Sequence, residues 1–307
     1  MQTVLITGVT GFLGQYVAYH FAQAGWRVVG VGTKSIDDAP HHNLSHYQQM
    51  HLPSLALETL VQSQKPRLCV HCAGRSSVEL SLREPLADFQ ASVPVTFHVL
   101  DILRQHAPTC HLIYLSSAAV YGNPAVLPIS ESAPPKPLSP YGFHKLLGEQ
   151  LCTEFHQLYG LPTTILRIFS AYGPGLRRQV MWDMCQKALT QPLLSLRGTG
   201  EESRDFIHGQ DVARVIHHLA TSAPGKAEIY NLASGVETTI QVLAQLTLSA
   251  LGRDIPIEFD GVIPAGTPRN WQADMTRLQG LGWKPRVPLA RGVEGFAEWC
   301  RAEVMEW

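Results

Sequence analysis

Tyr141 and Lys145, one helical turn apart, carry the most specific chemistry in this chain. A free tyrosine keeps its proton up to about pH 10. An ammonium group beside it favours the phenolate and brings that proton within reach of neutral chemistry. Upstream, Ser116-Ser117 offers a hydroxyl that can hydrogen-bond the same reacting oxygen. At the N-terminus, Gly8-x-x-Gly11-x-x-Gly14 follows the apolar run Thr3–Thr7. Glycines at that spacing turn the chain tightly off a strand and allow close approach to a pyrophosphate. They also open a helix whose free amides attract the anion. Together the two patterns predict hydride transfer with a nicotinamide cofactor, the Tyr–Lys pair handling the proton.

These groups need a scaffold, and the first half of the chain alternates strand and helix. The pattern predicts a strand at Thr3–Thr7, a helix from about Phe12 to Ala24 closed by Gly25, and strands at Arg27–Val31 and His46–His51. A helix over Leu55–Gln64 stops before Pro66, and Leu68–Cys72 is the fourth strand. A long helix from Pro85 to about His106 precedes the strand His111–Ser116. Ser139 as N-cap and Pro140 at the first helical position open the helix Tyr141–Tyr159, and Thr163–Phe169 is a sixth strand. This order predicts an α/β fold, a Rossmann-type doubly wound parallel sheet with a smaller C-terminal substrate-binding lobe. Beyond Gly173-Pro174-Gly175 the alternation loosens, with helices near Val180–Thr190, Gln210–Ser222, Ile240–Leu251 and Ala290–Glu306. Tyr230-Asn231-Leu232 reads as a strand returning to the main sheet. The expected division is an NAD(P)-binding domain over 1–172 with a returning segment at about 206–235, and a substrate-binding lobe over 173–205 and 236–307.

Composition narrows the class. With a formal net charge of −1 the chain has no electrostatic case for nucleic acid or an anionic membrane as partner. No apolar run approaches the roughly 20 residues of a membrane span, and no leader pattern opens the chain, so a cytoplasmic location is expected. The six cysteines are scattered, as reduced thiols would be. Cys69-Val70-His71-Cys72 has no second Cys/His pair at zinc spacing and lies in a short apolar run, so it reads as core. The histidines form no ligand pattern either: His41-His42 lies in a polar loop, and His217-His218 are neighbours on a helix and face apart. No metal site is expected.

Cofactor preference should be written at the end of the second strand, where an acid binds the adenosine ribose hydroxyls and a cation accepts a 2′-phosphate. Gly32 stands there, no acid follows, and Thr33, Lys34 and Ser35 supply donors. NADP(H) is therefore favoured over NAD(H).

Further motifs run along the chain: His71-Cys72-Ala73-Gly74, Ser116-Ser117-Ala118-Ala119-Val120-Tyr121-Gly122, Leu166-Arg167-Ile168-Phe169-Ser170-Ala171-Tyr172-Gly173-Pro174-Gly175, Ser203-Arg204-Asp205-Phe206-Ile207-His208 and Asn231-Leu232-Ala233-Ser234-Gly235. With Ala273-Asp274 and Leu281-Gly282-Trp283 they resemble, essentially end to end, the extended short-chain dehydrogenase/reductases, in particular the nucleotide-sugar epimerase/dehydratase group. The resemblance implies Tyr141 as acid/base, Lys145 on the nicotinamide ribose and Ser117 on the reacting oxygen. It implies cofactor contacts from Gly8, Thr10, Gly11, Phe12, Leu13, Gly14, Cys72, Ala73, Gly74 and Ser116, beside Gly32 to Ser35. On the substrate side it implies Arg204 near the diphosphate, with Ser76, Ala118 and Ser170 nearby. A nucleotide-diphosphate sugar is the implied substrate, and a homodimer through the helices at about 86–106 and 141–159 the implied assembly.

The departures from the family pattern bear on the reaction. Dehydratases of the group carry Asp-Glu, and decarboxylases a Glu, just after the catalytic hydroxyl, where this chain has Ala118-Ala119. Alanine transfers no proton, so what remains is redox at one carbon: reduction of a 4-keto sugar or 4-epimerisation. The missing acid at Gly32 tilts the expectation to a 4-keto-sugar reductase, with a 4-epimerase holding tightly bound NAD as the alternative. A non-catalytic NAD(P)-sensing regulator is the reading of another class, and retention of both Tyr141 and Lys145 speaks against it. His51 replaces the usual acid near the adenine, and Ser92 and Ser170 replace asparagines. Pro264-Ala265-Gly266-Thr267 stands where Arg-x-Gly-Asp is usual, leaving Arg269, Arg177 and Arg178 as candidates for the diphosphate. Trp271 is a candidate to stack on sugar or base, with core packing as the competing role.

Overall fold

A computed structural model describes residues 1–35, 37, 43–223, 225–263 and 266–305. His41-His42, Pro264-Ala265 and the expected helix end at Glu306 lie outside the described residues. The N-terminal elements are β1 (Thr3–Thr7), α1 (Phe12–Gln23), β2 (Arg27–Gly32), β3 (His46–Gln49), α2 (Ala56–Gln64) and β4 (Leu68–His71). They continue as α3 (Val78–Arg83), α4 (Pro85–His106), β5 (His111–Ser117), α5 (Pro140–Tyr159), β6 (Thr163–Ile168) and β7 (Ser170–Tyr172). The C-terminal part holds α6 (Gln179–Thr190), β8 (Leu194–Leu196), β9 (Ser203–His208), α7 (Gly209–Ser222), β10 (Lys226–Leu232) and β11 (Glu237–Thr239). α8 (Ile240–Leu251), β12 (Ile257–Phe259), α9 (Thr276–Gly280) and α10 (Leu289–Met305) complete it.

The main sheet has seven strands in the order β10-β6-β5-β4-β1-β2-β3, paired in parallel throughout. The chain winds outward from β1 to β3, then returns to β4 on the other side of β1. This reversal opens a crevice at the C-terminal ends of β1 and β4, where such sheets bind ligands. Both faces of the sheet are buried, as the alternation of side chains in β1 requires: Val4 and Ile6 join the core under α1 and α7, while Leu5 joins the core under α2, α4 and α5. A third cluster, including Met184, Leu243 and Phe296, binds α6, α8 and α10.

The predicted long helices start and stop for the expected reasons. Ser139 Oγ accepts the Gly142 amide, Pro140 takes the first helical position, and Gly160 closes α5 in the left-handed conformation. The return strand β10 is longer than Tyr230–Leu232 because its first turn pairs with Thr163 through a bulge at Lys226/Glu228. The short strands β7, β8, β9, β11 and β12 and the helices α3 and α9 were not expected. Three to six residues are too few to establish a period.

Candidate active site

The three glycines sit at the crevice, each under a separate constraint. Gly8 has φ +69, and a Cβ there would lie 2.8 Å from the Ala73 backbone nitrogen, across the gap between β1 and β4. A side chain on Gly14 would strike the Gly8 carbonyl, so only glycine lets α1 lie this close to the strand. Gly11 is the N-cap of α1, with no side-chain cap and no acid in the first turn, which leaves the first amides of the helix open to an anion. Gly32 ends β2 tightly: a Cβ would stand 2.8 Å from Thr10 Oγ1 and 3.0 Å from the Tyr47 hydroxyl. The carbonyls of Thr33 and Lys34 are held by Gln49 Nε2 at 3.1 Å and Tyr47 OH at 2.6 Å, while both side chains are exposed. The residues present fit a dinucleotide. Ala73 and exposed Gly74 follow β4 on the opposite wall. Cys69 is buried in the sheet core and His71 is held by Thr7 Oγ1 and Thr96 Oγ1, as core residues are.

Tyr141 and Lys145 stand on the first turns of α5, facing the C-terminal end of β5. Burial pushes the Tyr141 phenol above its ordinary value; Ser117 and the Arg178 guanidinium pull it down, and Asp88 pushes it up. Lys145 is buried, donates from Nζ to the Leu115 carbonyl at 2.8 Å, and lies 5.1 Å from the centre of the Tyr114 ring. Burial drives its pKa down to about 8, against the attraction of Cys72, Asp88 and Glu149. Its ammonium is 5.9 Å from the Tyr141 ring centre and is spent on a carbonyl, so in the described structure Ser117 and Arg178 are the groups favouring the phenolate. Ser117 Oγ accepts the Ala119 amide at 3.1 Å, opening the short 3-10 turn Ala118–Val120 and fixing its hydroxyl at the strand end. Ala118 and Ala119 are buried.

Ser116 is placed differently from Ser117. Its hydroxyl points into the protein and donates to Glu149, which also takes the guanidinium of Arg167 at 2.7 Å. The side chain therefore belongs to a buried ion-pair network. On the substrate side, Arg178 donates from Nη2 to Ser76 Oγ at 2.7 Å, joining the N-terminus of α6 to the loop after β4. Arg177 instead pairs with Glu303 of α10 and stacks over Trp299, which removes it from the diphosphate candidates. Trp271 is buried against Phe169, and its Nε1 donates to the Gly122 carbonyl at 3.0 Å. The Arg204 guanidinium lies 5.5 Å from the Trp271 ring centre and donates to the Arg269 carbonyl at 3.0 Å. Arg269 is exposed, and Ser170 is half-buried at the start of β7.

Two groups near the site escaped the sequence reading. Asp205, inside the Ser-Arg-Asp motif, gathers the amides of Ser234, Gly235 and Ala273 and ties three segments together beneath Arg204. Asp88 is fully buried on α4 and meets His144 Nδ1 at 2.6 Å. The available signal was spacing: Asp88, Ser92 and Thr96 recur every four residues on one face of a helix otherwise buried through Val95, Val99 and Leu103.

No helix among the described residues is long and apolar enough to cross a membrane, and no group of three or more His, Cys, Asp or Glu among them could hold a metal ion. The chain is 28% identical over 312 residues to a UDP-glucose 4-epimerase of Mycolicibacterium smegmatis, covering 97% of this chain and 98% of the relative. It is 26% identical over 323 residues to a GDP-6-deoxy-D-mannose reductase of Pseudomonas aeruginosa, covering 99% of each. The crystal structure of a UDP-glucose 4-epimerase from Thermotoga maritima with UDP-glucose superposes with a TM-score of 0.90 at 26% identity, over 99% of this chain and 100% of that one. The NAD dependent epimerase/dehydratase family model matches residues 4–233, and the chain belongs to that family.

Proposed function

We propose that the chain interconverts a hydroxyl and a ketone at one carbon of a nucleotide-diphosphate sugar, and that the net reaction is 4-epimerisation with NAD retained. The observation supporting redox at one carbon is the strand end of β5: Tyr141 and Ser117 meet there, and Ala118 and Ala119 stand where elimination would need a second proton-transferring group. The names of the relatives weigh toward epimerases, which moves the preference away from the reductase expected from the sequence.

The Gly8–Gly14 turn would hold a nicotinamide dinucleotide, which would supply a hydride acceptor at the sugar carbon and a hydride donor to the opposite face of the resulting ketone. Tyr141 removes the proton from the sugar hydroxyl and gives it back, while Ser117 Oγ holds the same oxygen in line. Lys145, with Nζ on the Leu115 carbonyl and 5.9 Å from the Tyr141 ring centre, is placed on the same helix to meet the nicotinamide ribose. Arg178, anchored on Ser76, and Arg204, laid over Trp271, offer two cations along the path of the diphosphate. The exposed apolar side chains Phe89 and Phe97 of α4 and Phe143 and Leu147 of α5 support a homodimer through these helices. The separate core of α6, α8 and α10 supports a substrate lobe distinct from the nucleotide-binding sheet.

A second reading rests on one observation. The end of β2 carries no carboxylate, and the exposed Thr33 and Lys34 could receive a 2′-phosphate, as a 4-keto-sugar reductase exchanging NADP(H) would require. Mass spectrometry of nucleotide released from freshly purified, undialysed protein separates the two. Near-stoichiometric NAD, with inversion at carbon 4 of a UDP-hexose, is the expected result. A freely exchanging site that oxidises NADPH against 4-keto nucleotide sugars would overturn it in favour of the reductase.

A further inference from the structure

The loop from Gly173 to Gln179 joins β7 to α6 and delivers Arg178 to the crevice. Three of its residues have positive φ: Gly173 at +143, Gly175 at +95 and Gln179 at +66. Glycine adopts such angles readily, whereas glutamine is strained there. A backbone bent this way has to be held by its surroundings. Leu176 is buried in the core of α6, α8 and α10, and Arg178 is tied to Ser76. The third hold comes from the nucleotide-binding sheet: Tyr16 of α1 donates its hydroxyl to the Pro174 carbonyl at 2.9 Å.

The fold keeps room for this one ring. A Cβ on Gly173 would lie 2.7 Å from the Tyr16 hydroxyl, and one on Gly209, the first residue of α7, 2.7 Å from its ring. The ring stands edge-on to Phe12 at 5.3 Å and to His208 at 5.8 Å. Burial raises the phenol above its ordinary pKa, so it remains a donor. Phe12 packs on the core of the C-terminal lobe, while Tyr16 packs on the core beneath α1 and α7.

The same helix opens at Gly11 with amides left for the pyrophosphate, Phe12 is its first residue, and Tyr16 follows one turn later. A bound anion fixes that first turn, Tyr16 passes the constraint to Pro174, and Arg178 lies four residues further on. Resting on the reading of Arg178 as a diphosphate contact, we propose that Tyr16 is a positioning residue that couples the dinucleotide site on α1 to the loop presenting Arg178. A loop ordered by the first ligand leaves less freedom for the second to remove, so the two sites favour each other's occupancy. By linkage the effect is equal in both directions.

Amide hydrogen exchange tests this without a substrate. The full chain, stripped of nucleotide, is followed over Gly11–Gln15 and Gly173–Val180 with saturating NAD, and again with NADP. The dinucleotide that slows exchange in the first segment should also slow it in the second. In Tyr16→Phe, which keeps the ring and loses the hydroxyl, protection of Gly11–Gln15 should persist while that of Gly173–Val180 falls roughly five-fold, the scale of one hydrogen bond. Direct contact between dinucleotide and loop would survive removal of the hydroxyl, so the difference isolates the Tyr16–Pro174 link. Gly209→Ala, which drives a methyl into the Tyr16 ring, should uncouple the segments in the same way. Undiminished protection of Gly173–Val180 in folded Tyr16→Phe overturns the proposal, as does a loss shared equally by both segments. Loss of folding in both variants would make the ring structural and overturn it too, as would a parent whose second segment ignores the dinucleotide. Exchange at Arg178 that is unmoved by added UDP would count against the diphosphate reading alone and leave the coupling readable.

Discussion

Replacing Lys145 by methionine should destroy activity and stabilise the protein, and the second half of that statement is the sharper one. Burial lowers the Lys145 pKa from 10.5 to about 8. At roughly 1.4 kcal/mol per pH unit, holding the ammonium in the folded chain costs about 3 kcal/mol at neutral pH, with the attraction of Asp88 already counted. Methionine fills similar volume, but the Leu115 carbonyl loses its donor, which takes back about 1 kcal/mol. The net gain expected for Lys145→Met is about 2 kcal/mol near pH 7. The sign with pH follows from protons bound. Between about pH 8 and 10.5 the unfolded lysine holds a proton that the folded one has lost, so parent stability rises across that window. The advantage of the variant should therefore be full below pH 8 and fade toward pH 10.5. Urea unfolding of both proteins at several pH values, after stripping nucleotide so that binding does not add to stability, measures this directly. A variant less stable than the parent at pH 7, or a difference constant from pH 7 to 10, would refute the reasoning.

Two glycines give further tests. Gly14→Ala places a methyl against the Gly8 carbonyl and 2.7 Å from Val9 Cα, both backbone atoms that cannot move aside. It should cost about 1–3 kcal/mol and strip the protein of retained dinucleotide, read by unfolding and by nucleotide release. Gly148→Ala drives a methyl into the buried Tyr114 hydroxyl, whose ring lies beside Lys145. A loss of about 1–3 kcal/mol is expected, and an unchanged urea midpoint would contradict it.

The sheet and its long helices were legible because each had a period and a punctuation mark. Val4, Leu5 and Ile6 alternate, Gly25 and Gly160 close helices, and Ser139-Pro140 opens one. The chemistry was legible for the same local reason: Tyr141 and Lys145 are four residues apart on one helix, and the glycines are three apart on one turn. What stayed hidden is long-range. Trp271 meets the Gly122 carbonyl across 149 residues, and Asp205 gathers amides 29 to 68 residues away. Arg177 and Arg178 are adjacent in sequence, yet one pairs with α10 and the other with Ser76 on the opposite wall of the crevice. Nothing local distinguishes them. The pair Ser116-Ser117 shows the limit most plainly: in β5 successive side chains point to opposite faces, so one hydroxyl enters the core network and its neighbour reaches the site.

That contrast recurs among buried charges of the described residues and separates scaffold from site. Arg167–Glu149 and Arg214–Asp211 are paired in place, and Asp205 is saturated by amides. Their charges are met within the fold and have nothing left to offer a ligand. At the C-terminal end of β5 the accounts are open. Lys145 is desolvated on a neutral carbonyl, Arg178 hydrogen-bonds Ser76 alone among the described residues, Tyr141 is half-buried with its proton held high, and Asp88 has one oxygen without a partner among those residues. Asp88 and Arg178 act electrostatically on the Tyr141 phenol, and Asp88 on Lys145 as well. A folded chain that tolerates unmet charge at one place, having met it elsewhere, is holding that place for a molecule able to complete it. On the proposed function, Arg178 suits a diphosphate, and the phenol beside a fixed serine suits a hydroxyl that becomes a ketone and back again.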